Sequence, residues 1–177
     1  MVNINIESLK ELVMQQAKEK GFGVNPEDLD TPEKTAEKIA LIHSEITEAY
    51  QAYLANQMDG KDGYYEELGD ILQRTLHLGG IYGINFEIPI DCSEITDLGL
   101  EAKLLTLHAI TSEAYENYRH KKDDQFKIGL SRLAYAVIEI SRHYEFSLEE
   151  AVKVKIERNL GRKWDPSKYR ERFTVPE

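Results

Sequence analysis

Cysteine is almost absent from this 177-residue chain, in which Cys92 is the only one. An internal disulfide framework and a cysteine-rich zinc site are therefore excluded, and a reducing, cytoplasmic compartment is favoured. No apolar run approaches the roughly 20 residues that a membrane span needs, and we expect no signal peptide. Basic residues are few, 22 against 32 acidic ones, and the net charge of −10 argues against binding long nucleic acid through a broad basic face.

Helical periodicity dominates the chain, without convincing strand alternation. Turn and capping residues delimit six predicted helices, at about 6–20, 31–56, 64–82, 98–119, 124–145 and 148–161. Gly21 and Gly83 are placed to end the first and third helices, and Ser147 with Glu150 predicts a capping box at the start of the last. We expect one all-α domain over residues 1–177, resembling a four-helix bundle built from two helical hairpins.

An internal repeat is predicted to relate the two hairpins. The run LIHSEITEAYQAY from Leu41 to Tyr53 resembles TLHAITSEAYENY from Thr106 to Tyr118, with Glu-Ala-Tyr and a second Tyr in common. The repeat divides the chain into a metal-binding hairpin at 31–87 and a second hairpin with a closing helix at 98–163. Chance similarity between two amphipathic helices is the alternative.

Two carboxylate pairs of the first hairpin are the candidates for chemistry: Glu45 with Glu48, and Glu67 with Asp70. A spacing of three residues places each pair on one helix face, where both side chains can reach one cation. Antiparallel packing would bring the pairs face to face, and oxygen-only ligands select Mg²⁺ or Mn²⁺, ions that also bind substrate phosphate. Either pair alone is more often an accident of an acidic helical chain. A ferritin-like di-iron site is disfavoured, since no histidine has a Glu three residues before it.

These residues resemble the signature of a known family. The sequence IHSEITEA around Glu45 and Glu48, followed by EELGDIL from Glu66 to Leu72, looks like that of MazG-type nucleoside triphosphate pyrophosphohydrolases. That family belongs to the all-α superfamily that includes the dimeric dUTPases. The resemblance covers residues 31–163 and implies hydrolysis of a nucleoside triphosphate to the monophosphate and pyrophosphate. It also makes a homodimer plausible.

The resemblance assigns roles residue by residue. The four carboxylates would hold Mg²⁺, and the catalytic candidates are Glu48, which would orient the attacking water, and Glu45. The last helix is similar to the family's closing helix, and candidates for binding the polyphosphate there are Lys155, Asn159 and Arg162. The window 153–172 carries a net charge of +5, which leaves −15 for the rest of the chain. An exposed, solvated basic surface is the alternative for this segment.

The second hairpin departs from the family pattern. Glu113 matches Glu48, but the other three ligand positions are filled by Ile110, Gly129 and Arg132. We therefore expect one active site per chain. Two alternatives stay open: a non-catalytic nucleotide-sensing or interaction protein on the same scaffold, and a pyrophosphohydrolase acting on a phosphoribosyl nucleotide.

Overall fold

The computed structural model describes residues 4–29 and 31–161, and every regular element in those ranges is helical. Two single-turn 3₁₀ helices, Pro26–Asp28 and Ser93–Ile95, lie in the connectors. The α-helices in chain order are α1 (Ile6–Glu19), α2 (Pro32–Leu54), α3 (Tyr64–Ile81), α4 (Leu100–Arg119), α5 (Asp123–His143) and α6 (Leu148–Gly161). The predicted all-α class is confirmed.

Local turn chemistry explains where the helices begin and end. Gly21 and Gly83 follow α1 and α3 with φ of +74° and +65°, a left-handed conformation in which glycine has no Cβ to clash. Ser147 Oγ accepts a hydrogen bond from the backbone N–H of Glu150 at 3.2 Å, which caps α6. The helix α2 ends at Leu54, slightly before the predicted end, because Asn56 adopts a left-handed φ of +56°.

Helices α2 and α3 form one antiparallel hairpin, and α4 and α5 form a second. At one end of the first hairpin the hydroxyl groups of Thr35 and Tyr82 lie 2.8 Å apart, and further along α2 an ion pair joins Glu45 to Arg74. The hairpins pack α2 against α4 and α3 against α5, and their inner faces share one continuous apolar core. This packing is that of a helical bundle.

The two histidines His43 and His108, which occupy matched positions of the predicted repeat, meet between α2 and α4. Their Nδ1 atoms lie 2.7 Å apart, and the rings stack with centroids 5.0 Å apart. If a twofold axis related the two hairpins, a residue near that axis would contact the matching residue of the other hairpin. The contact between His43 and His108 is of this kind. The origin of the hairpins from one duplicated unit stays a prediction.

Helix α3 is the central element, since it packs against α1, α2, α5 and α6. Gly69 allows the close approach of α6, because a Cβ at this position would lie 3.2 Å from the Cβ of Ala151. This close packing places the middle of α6 next to the acidic residues of α3. Among the helices of residues 4–29 and 31–161, none is long and apolar enough to cross a membrane.

Candidate metal centre

Three carboxylates converge in the middle of the α2–α3 hairpin. One oxygen from each of Glu45, Glu67 and Asp70 lies within 4.8 Å of the other two. The residues are buried, with exposed fractions of 5%, 3% and 6% in that order. Glu45 reaches the cluster from α2, whereas Glu67 and Asp70 lie one turn apart on α3. The antiparallel hairpin thus brings together three of the four predicted metal ligands.

Glu48 is not part of this cluster. Its side chain is exposed and accepts a hydrogen bond from the Ser44 hydroxyl at 3.2 Å. Three residues turn a helix by roughly 300°, so a side chain one turn from Glu45 lies about 60° to its side. The rotation places Glu45 toward α3 and Glu48 toward solvent. The predicted ligand and water-orienting roles of Glu48 stay predictions.

Glu67 has the least compensated charge of the three. Its Oε2 atom is buried and has no hydrogen-bond partner within the described ranges. Burial, together with the neighbouring carboxylates of Asp70 and Glu45, raises the pKa of Glu67 to about 8, although the ammonium group of Lys155 opposes the shift. A carboxyl group with this pKa holds a proton at neutral pH until a stronger cation displaces it.

Asp70 and Glu45 each have a basic partner. Burial raises the pKa of Asp70 to about 6, although the ammonium group of Lys155 opposes the shift. The guanidinium of Arg74 pairs with Glu45 through its Nε and Nη2 atoms. Arg74 lies one turn beyond Asp70 on α3, so the carboxylate cluster has a positive group on each side.

The basic side of α6 faces the carboxylates of α3. Lys155 contacts Asp70, and its Nζ atom lies 3.3 Å from Glu66 Oε1, while Arg158 also pairs with Glu66. Burial opposes the charge on Lys155, but Asp70 and Glu66 outweigh that effect and raise its pKa. Lys155, a predicted polyphosphate-binding residue, therefore lies beside the carboxylate cluster, and its binding role stays a prediction. Asn159 is half-buried on the same helix, and Arg162 lies outside the described residues.

Glu66 and Arg158 were not predicted as site residues. A signal was available for each, because Glu66 lies four residues before Asp70 and Arg158 lies three residues after Lys155. Such spacings place each pair on one helix face. The spacings alone do not show that the acidic face of α3 packs against the basic face of α6. The packing of α6 on α3 in the structure shows this.

The corresponding region of the second hairpin contains an ion-pair network. Arg132 lies 3.8 Å from Glu113 and 3.2 Å from Glu94, measured between side-chain nitrogen and oxygen atoms. At Gly129 a Cβ would lie 3.0 Å from the Cβ of Ala114, so α5 and α4 approach closely there. Within the described residues, no group of three metal-binding side chains other than the α2–α3 cluster is present.

Comparison with known proteins gives no match: no protein-family model, no curated protein and no solved structure matches the chain. Membership of the MazG-type family stays a prediction from the sequence motifs.

Proposed function

We propose that the protein hydrolyses a nucleoside triphosphate to the monophosphate and pyrophosphate, with Mg²⁺ held by Glu45, Glu67 and Asp70. The observation that carries this proposal is a buried carboxyl oxygen of Glu67 that lies beside two further carboxylates. Among the described residues, this oxygen has no hydrogen-bond partner. Three oxygen donors at this separation suit Mg²⁺, or Mn²⁺ in its place, and leave coordination positions for water and phosphate.

The charges around the cluster favour a cation over a purely structural arrangement. Arg74 offsets Glu45, and Lys155 offsets Asp70. Glu67 forms no ion pair among the described residues, and burial raises its pKa although Lys155 partly opposes the shift. Burying an uncompensated carboxylate costs several kcal/mol, whereas a divalent ion would neutralise Glu67 and its neighbours together. A bound cation therefore fits these three side chains.

The chain supplies the groups that such a reaction needs. A divalent ion, when bound, supplies charge neutralisation on phosphate oxygens and a lowered pKa for a bound water. Lys155 and Arg158 are positioned to hold the polyphosphate, with a point charge and a forked donor respectively. Glu48, exposed one turn beyond Glu45, is available to orient the attacking water.

A non-catalytic role is the second candidate, and a specific observation favours it. Basic side chains already neutralise two cluster carboxylates, Arg74 with Glu45 and Lys155 with Asp70, and a third ion pair joins Arg158 to the neighbouring Glu66. A network of this kind can exist to hold α6 on the hairpin. On that reading Glu67 would remain protonated, and divalent ions would bind no more tightly than to other acidic surfaces.

The test is a substrate screen with product identification. The purified chain is incubated with each nucleoside triphosphate, and with a phosphoribosyl nucleotide, in Mg²⁺, and phosphorus NMR distinguishes pyrophosphate from orthophosphate. We expect pyrophosphate and a monophosphate from a triphosphate. The reaction should be lost with a chelator and in Glu67→Gln, but not in Glu113→Gln, which changes the matched carboxylate of the second hairpin.

Each other outcome identifies a different function. Turnover of the phosphoribosyl nucleotide alone would replace the substrate class and keep the metal site. Release of orthophosphate would contradict the pyrophosphohydrolase reaction. No turnover and no saturable divalent-ion binding by the folded protein would favour the structural ion-pair network.

A further inference from the structure

Lys38 is a basic residue of the hairpin that the proposed function does not use. Its side chain is half-buried on α2, and no hydrogen bond or ion pair holds its ammonium group within residues 4–29 and 31–161. Burial lowers the pKa of Lys38, and the nearby Arg74 lowers it further, against the opposing effect of Glu37. A half-buried ammonium without a partner is costly unless an anion joins it.

Lys38 and Arg74 lie on the same side of the carboxylate cluster along the hairpin, close enough for Arg74 to lower the pKa of Lys38 in addition to burial. Lys38 precedes Glu45 by seven residues, two turns along the same face of α2, or about 10 Å. The hairpin is antiparallel, so this direction along α2 corresponds to the direction from Asp70 toward Arg74 and His77 on α3. Burial lowers the pKa of His77 to about 4, and the nearby ammonium group of Lys38 contributes to the shift.

Lys155 and Arg158 lie at the opposite end of the cluster. They contact Glu66 and Asp70, whereas Arg74 is eight residues beyond Glu66 along α3, or about 12 Å. The carboxylates therefore lie between two groups of basic side chains. A single phosphate could contact one group only, whereas a chain of phosphates across the metal site could contact both.

Arg74 has donors left for such a ligand. Its Nε and Nη2 atoms contact Glu45, and its Nη1 atom makes no hydrogen bond within the described part of the chain. A guanidinium has five N–H donors in a fixed plane, so Glu45 orients the group while the Nη1 edge stays available. About 39% of the Arg74 side chain is exposed, which gives an anion access to that edge.

We infer that Lys38 and Arg74 form a second phosphate-binding end of the site, across the carboxylate cluster from Lys155 and Arg158. The ligand class is a linear polyphosphate, free or as part of a nucleotide, that spans both ends. The inference rests on the proposed function for the metal between the ends, and it adds residues and a substrate length that the function alone does not specify.

Binding of inorganic tripolyphosphate and of orthophosphate tests the inference, by titration calorimetry of the full chain in Mg²⁺. Lys38→Met should weaken tripolyphosphate binding about ten-fold and change orthophosphate binding less than about two-fold, because orthophosphate can use the Lys155 end alone. Lys38→Arg should retain the affinity. Lys127→Met, which removes a charge from α5, is the control and should change neither ligand's affinity.

The outcomes separate this inference from the proposed function. Manganese binding, followed by the EPR signal of free Mn²⁺, should be the same in wild type and Lys38→Met. Unchanged tripolyphosphate affinity in Lys38→Met, with Mn²⁺ binding and hydrolysis intact, would overturn the second end and leave the proposed function standing. Equal losses for both phosphate ligands would also overturn it. Wild-type protein that binds tripolyphosphate through Lys38 but binds no Mn²⁺ would support the phosphate end and contradict the metal site.

Discussion

Glu67 differs from the carboxylates around it because it forms no ion pair within residues 4–29 and 31–161, and this difference affects how substitutions act. Glu45→Gln would leave Arg74 without its carboxylate, and Asp70→Asn would do the same to Lys155. Glu67→Gln disrupts no ion pair in the described structure and removes a buried acid. A substitution of Glu67 is therefore expected to remove metal binding with the least damage to the fold.

We predict that Glu67→Gln abolishes Mg²⁺-dependent hydrolysis while raising the melting temperature of the metal-free protein. The amide keeps the shape of the side chain and removes the free-energy cost of keeping a buried acid protonated at neutral pH. Calorimetry in chelator measures the stability, and Mn²⁺ titration measures the loss of binding. A variant that melts below wild type without metal would show that Glu67 stabilises the fold through contacts beyond those described.

The stability of the metal-free protein should also depend on pH in a direction fixed by Glu67. The pKa of this group rises to about 8 in the folded chain from an ordinary 4.5, so between these values the folded state holds a proton that the unfolded state has released. The free energy of unfolding therefore falls as the pH rises from about 5 to about 8. Asp70, with a pKa raised to about 6, adds to the decline in the lower part of that range.

Melting temperatures in chelator at several pH values between about 5 and 8 measure this slope. Glu67→Gln should flatten it, and saturating Mg²⁺ should flatten it as well, because a metal-bound Glu67 holds no proton, like the unfolded chain in this pH range. Parallel curves for wild type and variant would assign the pH dependence to other groups.

At the scale of single residues, the sequence predicted three of the clustered carboxylates and left two details open. The spacing of three residues places Glu45 and Glu48 on one side of α2. That side is wide enough for Glu45 to be buried while Glu48 is exposed to solvent. Glu66 was not predicted as a site residue, because its burial depends on the packing of α6 and not on the periodicity of α3.

At the scale of elements, α6 controls the basic part of the site. Gly69 and Ala151 permit its close approach to α3, and Lys155 follows Ala151 by one turn. The ends of α6 and of the other helices were predictable, because proline, glycine and capping side chains act locally. The packing of α6 on α3 was not, since an amphipathic helix with 14 residues does not specify its partner.

We predict that Lys155→Met lowers kcat/KM by roughly ten-fold to a hundred-fold, about 1.4 to 2.7 kcal/mol of transition-state stabilisation. Mg²⁺ should bind the variant more tightly, because Lys155 shares Asp70 with the metal. Steady-state kinetics and Mn²⁺ titration measure the two effects. Lys153→Met is the matched control, since Lys153 lies on the same helix, is exposed, and pairs with Glu149.

If the Lys155 and Lys153 variants had the same kcat/KM and the same metal affinity, the basic residues of α6 would be solvated surface residues without a role in substrate binding. A lower Mg²⁺ affinity in Lys155→Met would show instead that Lys155 orients Asp70 for the metal. Opposite changes in substrate turnover and metal affinity are therefore the result that distinguishes a phosphate-binding lysine from a structural one.

At the scale of the whole molecule, the two hairpins have similar helices and different electrostatics. In the first, three buried carboxylates meet with one of them unpaired; in the second, Arg132 neutralises Glu113 and Glu94. The two hairpins therefore differ in charge although both consist of two packed antiparallel helices. Sequence alignment of the halves predicted this difference at Ile110, Gly129 and Arg132, because a change of residue type does not depend on packing.

We predict that the molecule binds divalent ions in the first hairpin only. A guanidinium within 3.8 Å of Glu113 already supplies the positive charge that a metal would bring, and a second cation there would be repelled. Crystals soaked in Mn²⁺ should show anomalous scattering beside Glu67 and none beside Glu113. In solution, Glu113→Gln should leave the Mn²⁺ stoichiometry unchanged, whereas Glu67→Gln should remove the saturable sites. Manganese bound beside Glu113 would mean that Arg132 moves away when metal is present, and would contradict a single active hairpin per chain.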